Sequence, residues 1–170
     1  ASVDSAGELM LVPACTGWGT PHWDPEARGL MIGLTRDTGP GQIARAALEG
    51  IALAVTTLMQ LAEQALGQPL HELAVDGGAA ASDLLLQAQA NSSGVPVRRP
   101  DQLESTALGV ALLAGLSAGC LSDLNAVRQA RAAGSRRFDP TIDAAERERW
   151  LQRWESAVHR CLEWHGDALR

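Results

Sequence analysis

Apolar and polar positions sort this chain into short strands and longer helices. Leu9 to Val12 is a short apolar run that predicts a strand, and Gly29 to Leu34 predicts a second, buried one. From Pro40 and Gly41 the period lengthens: Ile43, Ala47, Ile51, Ala54, Val55, Leu58 and Leu61 recur at helical spacing. Gly67 supplies a left-handed stop and Pro69 lies beyond it. Leu73-Ala74-Val75 predicts a strand that ends at Asp76-Gly77-Gly78. Ser82 then fits the N-cap of a helix over Asp83 to Ser92, closed by Gly94. Val95 to Arg99 predicts another strand, stopped by Pro100. Thr106 to Ala118 predicts a helix of small residues suited to close packing, and Ser122 is placed as the cap of a short helix through Ala130. A final helix over 143–165 starts at the capping-box-like Asp143-Ala144-Ala145-Glu146. Trp150, Trp154, Val158, Cys161 and Leu162 lie along one side of it.

Alternating helices and strands argue for a parallel α/β layer in one unit covering 1–170. The strands are too few for a complete sheet with helices on both faces. The unit is therefore expected to be partial, to pair with elements it lacks and to have an unpaired sheet edge. The opening ASVDSAGE has no initiator Met, which fits a piece of a longer protein.

Composition narrows the function. Net charge is −6, which gives no field toward nucleic acid or an anionic membrane, so neither is expected as a partner. Every basic residue is arginine, which excludes a P-loop, whose lysine is needed on the phosphates. Cys15, Cys120 and Cys161 form neither a disulfide framework nor a zinc knuckle, so a reducing cytoplasm is expected. Cys161 and His165 are one helical turn apart with His159 nearby, but His159 and Cys161 point to different sides of a helix, and no metal site is assigned.

From Val12 to Gly29 the pattern breaks down into a rigid, irregular loop rich in Trp, Pro and Gly. Long ordered loops tend to carry function. Here Trp18 and Trp23 are expected to pin the loop by burying ring area, and Asp24 to cap its own turn before Pro25. Arg28 and Arg36 flank strand ends and are expected to be solvated or paired, and Glu49 to make a helix-surface or interface pair.

Asp76-Gly77-Gly78 is the sharper candidate. Two glycines between a strand and a helix let the main chain approach a ligand closely, and the following helix offers free N–H groups and a positive dipole end. In open α/β sheets ligands bind at the carboxyl ends of strands. Asp-Gly is also a common turn, so the residues alone leave a plain turn open.

Three stretches in order add to this reading. Val75-Asp76-Gly77-Gly78-Ala79-Ala80-Ala81-Ser82-Asp83, followed by Leu86-Gln87-Ala88-Gln89-Ala90-Asn91, resembles the V-D-G-G-A-x-A-N-N and L-x-Q-x-Q-A-D of the FGGY carbohydrate kinases. Gly29 to Leu34, then Gln42-Ile43 through Glu49, resembles that family's second signature, and Glu104-Ser105-Thr106-Ala107-Leu108-Gly109 resembles its E-T-T-A-L-G. The opening loop resembles the P-A-F-T-G-L-G-A-P-Y-W-D-P of the branch that phosphorylates glycerol, with Cys15, Trp18, Thr20 and His22 in place of Phe, Leu, Ala and Tyr.

The resemblance implies the C-terminal part of such a kinase, with a ribonuclease-H-like, actin-type ATPase fold that lacks its opening strands. It implies ATP-dependent phosphorylation of glycerol or a similar polyol to glycerol 3-phosphate, with Mg²⁺ bound mainly outside this segment. It also implies the N-terminal half of the same protein as partner. A homo-oligomer is expected. By the resemblance Gly77, Gly78 and Ser82 hold the adenosine part of ATP, Ser82 standing where the family has Asn. Base, polyol and phosphate sites precede this segment in the family, so no catalytic residue is assigned within 1–170 and the segment alone is expected to be inactive. Another sugar kinase of the family, acting on a pentulose, stays open as an alternative. So does a catalytically inactive nucleotide-binding or interaction module.

Overall fold

Two small sheets, one on each side of a helical layer, organise the described part of the chain. The structure is a computed structural model and describes residues 3–130 and 134–164, with the side chains of 128–130 left aside. Strand β1 (Met10–Val12) pairs antiparallel with β2 (Leu30–Ile32), Leu11 opposite Met31. Helix α1 (Pro40–Leu66) follows, and Gly67 ends it in the left-handed conformation at φ 67°. Strand β3 (Leu73–Ala74) leads through a 3-10 turn (Gly78–Ala81) into α2 (Asp83–Ser93). Then come β4 (Val97–Pro100), α3 (Ser105–Ser117), α4 (Leu124–Ala130), β5 (Ser135–Phe138) and α5 (Ala144–Cys161).

The second sheet runs β3-β4-β5, and its order corrects the expectation of a purely parallel layer. β3 and β4 are parallel, joined through α2, but β4 and β5 are antiparallel, Arg98 opposite Arg137. β5 reads Ser-Arg-Arg-Phe, a charged tetrapeptide whose only buried residue is Phe138, so it carries too little apolar alternation to register as a strand. Pro100 does not stop β4 but closes it, opposite Ser135.

The main core gathers Met10 and Val12 from β1, Leu53 from α1, Ala14 and Ala27 from the long loop, and Trp154, Ala157, Val158 and Cys161 from α5. A second core under the β3-β4-β5 sheet holds Ala80, Leu86, Ala90, Val97 and Phe138. Between α1 and α2 a buried polar seam is fully satisfied: Gln89 Nε2 donates to Thr56 Oγ1 at 3.1 Å, and the Thr56 and Ser92 hydroxyls are 2.7 Å apart. Such a seam fixes the register of two helices that apolar contacts alone would let slide.

α1 buries a different side from the one its large apolar residues mark. Ala46, Gly50, Ala52, Leu53, Thr56 and Met59 are buried, while Ile51 and Leu58 from the expected face are about half exposed. Small residues win because α1 lies close against β1: a Cβ on Gly50 would collide with the Leu11 carbonyl oxygen. By length and composition α1 could cross a membrane, yet it is the helix around which both β1 and α2 pack.

α3 departs from its expectation more sharply. It is apolar on every side, and none of its residues is buried; Val110 and Leu113 are 64% and 67% exposed. Among the described elements its main neighbour is α4, and Leu121 just before α4 lies against Gly115. The cap of α4 is Asp123, not Ser122: Asp123 Oδ1 accepts the amides of Asn125 and Ala126 at 2.8 and 2.9 Å. α5 begins as expected, with Asp143 Oδ1 accepting the Glu146 amide at 2.8 Å, and it ends at Cys161 rather than at 165. His165, named above with Cys161, lies outside the described residues.

Candidate functional site

The candidate turn is built from the strand end outward. After β3 the pairing continues, as the Val75 amide donates to the Arg98 carbonyl at 3.0 Å. Gly77 then donates to the Leu103 carbonyl at 2.9 Å and takes φ 82°, ψ 175°, a conformation essentially closed to side chains. Its carbonyl accepts the Ala80 amide, which opens the 3-10 turn, and Ala80 is buried in the core beneath. Ser82 ends the turn and caps α2, its hydroxyl oxygen accepting the Leu85 amide at 3.2 Å. One lone pair of the oxygen serves the cap, and the hydroxyl hydrogen and the second lone pair remain for an outside group.

Gly78 is exposed, and a Cβ placed on either Gly77 or Gly78 would meet nothing within 4 Å. The left-handed φ explains glycine at 77. At 78 no neighbour among the described residues explains it, and the bare main chain faces open space beside the N-terminus of α2. These three positions, Gly77, Gly78 and Ser82, are brought together on one short turn at the end of a parallel strand. A close approach of main chain to an outside group is the chemistry that such a surface permits.

A charged cluster that sequence reasoning missed lies behind this turn. Arg99 Nη1 donates to the carbonyls of Ala80 and Ala81 at 2.9 and 3.3 Å and to Asp83 Oδ1 at 2.8 Å. Arg136 Nη1 donates to Asp83 Oδ2 at 2.6 Å. Both guanidiniums stand over the Phe138 ring, 5.3 and 4.8 Å from its centre. Partial desolvation, the largest influence on the Asp83 carboxyl, raises its pKa, but the Arg99 hydrogen bond and the charges of Arg136 and Arg99 outweigh it and leave the group below the usual carboxylate value. The signal was present as Arg98-Arg99 in a strand, where alternation turns one of the pair inward.

The long loop is tied to α5. Trp18 is half-buried and packs against Trp154 with ring centres 5.8 Å apart, as expected. Trp23 is 74% exposed, which corrects its expected role as a pin, and its backbone takes the left-handed φ of 51°. Asp24 caps its own turn by accepting the Glu26 amide at 2.8 Å, and its other oxygen accepts the Glu163 amide at 2.6 Å. Arg28 donates to the carbonyls of Pro25 and Ala27, Arg36 is exposed, and Glu49 is paired with Arg45 at 2.6 Å. No group of three metal-ligating side chains occurs among the described residues. Burial, then the Asp24 charge, pushes the Cys161 thiol pKa up, which disfavours its thiolate.

The Asp24 clasp sets a pH dependence. The Glu163 amide bond, ahead of the others, holds the Asp24 carboxyl below its ordinary value. Its contribution is therefore complete above the unfolded value of 3.8 and is lost as pH falls through the lower folded value. The difference in melting temperature between the parent and Asp24→Asn is expected to hold from neutral pH down to about 3.8 and to shrink only below it. A variant that melts with the parent at every pH would count against the clasp.

The turn lies at a strand tip beside a helix N-terminus on a mixed α/β sheet, the place where open α/β sheets bind their ligands. The FGGY family of carbohydrate kinases, C-terminal domain, matches residues 1–118. The chain belongs to that family. Its fold is the actin-like ATPase fold of those kinases, present as a partial C-terminal domain. A glycerol kinase of Aromatoleum aromaticum is 50% identical over 164 residues, 96% of this chain and 33% of that protein. One of Deinococcus radiodurans is 44% identical over 167 residues. The chain thus spans about a third of the length of the curated relatives it matches. Among solved structures, Plasmodium falciparum glycerol kinase with ADP aligns at TM-score 0.82 and 28% identity, over 95% of this chain and 32% of that one. A ligand-bound xylulose kinase of Lactobacillus acidophilus aligns at 0.66 and 25%, over 91% and 31%.

Proposed function

We propose that this chain is the adenosine-binding part of an ATP-dependent glycerol kinase. It would contribute Gly77, Gly78 and Ser82 to the nucleotide site, on a partial C-terminal domain spanning 1–170. The observation that carries this reading is the exposed main chain at Gly78, glycine where no internal neighbour requires it. A flat purine nucleoside needs such a surface, and the Ser82 hydroxyl can donate at its rim. The relatives' names and the ADP in the Plasmodium structure support the choice of nucleotide and acceptor. The higher TM-score to that glycerol kinase than to the xylulose kinase favours a polyol over a ketose.

Phosphoryl transfer to a primary hydroxyl needs a base for the hydroxyl and neutralisation of the phosphates by Mg²⁺ and donors. We assign none of these to residues of this chain. We assign them to the remaining two thirds of the relatives' length. That part is also our candidate to cover the outer edge of β3, the Ile51–Leu58 side of α1 and the whole of α3. This chain joined to that part is the completed kinase. The three free cysteines are consistent with a reducing compartment.

The test is an acceptor panel of glycerol, other polyols and pentuloses, run with ATP on the completed kinase and on the 170-residue chain. The completed kinase is expected to yield glycerol 3-phosphate, and the chain alone to turn nothing over. A preference for a ketose would replace the glycerol reading. Absence of both turnover and ADP binding would leave an inactive module.

A further inference from the structure

We propose that Arg99 is a positioning residue for nucleotide binding: it fixes the shape of the turn that presents Gly78 and does not itself touch the ligand. This rests on the nucleotide reading of that turn. Gly77-Gly78-Ala79-Ala80-Ala81 has no side chain larger than a methyl group, and of its methyls only Ala80's is buried. Packing therefore holds the segment at one point, and the rest of its shape depends on main-chain groups. Gly77 is held by Leu103 at the front. At the back the carbonyls of Ala80 and Ala81 both turn to Arg99.

Arg99 suits this task because it is itself fixed. It stands on β4, its side chain is 17% exposed, its guanidinium lies over Phe138, and its charge is met by Asp83 at the first position of α2. One group thus joins the strand, the turn and the helix start. With its charge already met, Arg99 acts through geometry and not through attraction for phosphate. Arg136 is the natural contrast. It shares Asp83 and Phe138 with Arg99, but its hydrogen bond runs to Asp83 Oδ2 on the helix side of the turn. Loss of Arg99 takes that partner from the Ala80 and Ala81 carbonyls and leaves the turn resting on the Ala80–Gly77 and Ser82–Ala79 backbone bonds, next to glycines whose φ/ψ range is wide.

The experiment is steady-state kinetics of the completed kinase with ATP and glycerol varied separately. In Arg99→Gln the KM for ATP is expected to rise about fivefold or more, with the glycerol KM and kcat within about twofold of the parent. Arg99→Lys keeps the stem and charge but not the fork, and should fall between the two; it carries the test if the glutamine variant does not fold. Arg136→Gln removes the other partner of Asp83 and should leave the ATP KM within about twofold. An ATP KM unmoved in both Arg99 variants overturns the proposal. So does an equal rise in Arg136→Gln, or a parallel rise in both substrates' KM, since those mark a merely structural role. Gly78→Val separates the two levels. If it raises the ATP KM and the Arg99 variants do not, positioning alone fails. If it too has no effect, the nucleotide reading fails.

Discussion

With valine in place of Gly78, the completed kinase is expected to lose nucleotide affinity and keep its fold. A Cβ there meets no non-neighbouring protein atom within 4 Å, so the stability change should stay within about 0.5 kcal/mol, the usual span for open surface positions. A β-branched side chain would occupy the space that the nucleoside is proposed to fill. The KM for ATP should then rise about tenfold or more, equivalent to ~1.4 kcal/mol of lost binding. Alanine at the same position should give a smaller rise. Position 77 provides the contrast. Its φ of 82° strains any side chain by about 1–3 kcal/mol, so Gly77→Val should lower the melting temperature as well as affinity. Equal thermal losses at both positions, or an unchanged ATP KM at 78, would contradict the geometry.

The second large effect is on stability. Trp154→Ala is expected to cost about 3–5 kcal/mol, the range for deleting a large buried aromatic. The ring is 3% exposed, sits among Met10, Val12, Leu53 and Val158, and supports Trp18 of the long loop. Its indole N–H also donates to Thr57 Oγ1 at 3.0 Å, tying α5 to α1. Trp154→Phe keeps most of the apolar area and loses that bond, so it should cost far less than alanine. Urea denaturation followed by far-UV circular dichroism reads both. A midpoint for the alanine variant close to the parent's would mean that α5 packs elsewhere.

Element boundaries were readable where local chemistry sets them. Gly67 and Gly94 end their helices in left-handed conformations, Ser82 and Asp143 cap theirs, and Asp76-Gly77-Gly78 marks the strand end. What escaped depends on distant partners. The buried side of α1 is chosen by the approach of β1 at Gly50, so counting large residues picked Ile51 and Leu58, which lie open. β5 exists because β4 has a free edge and Phe138 a place in the core, neither visible in Ser-Arg-Arg-Phe. Trp23 was misplaced because ring area alone does not say whether the fold brings a core to the ring, and its ring lies 74% exposed. In the candidate site, the glycines and the capping serine were readable as residue types. For Arg99, strand alternation marks one inward arginine of the 98–99 pair, but its partners were not readable, since its bonds reach back 16 to 19 residues.

The bare, all-round apolar α3 bears on manufacture as well as on architecture. Made by itself, the segment would expose a greasy cylinder beside an unpaired strand, and chaperones or other copies would compete for both. Synthesised as the tail of a longer chain, the same helix would leave the ribosome after the regions proposed to shelter it have folded. Ribosomal order would then protect what the segment's own sequence leaves sticky.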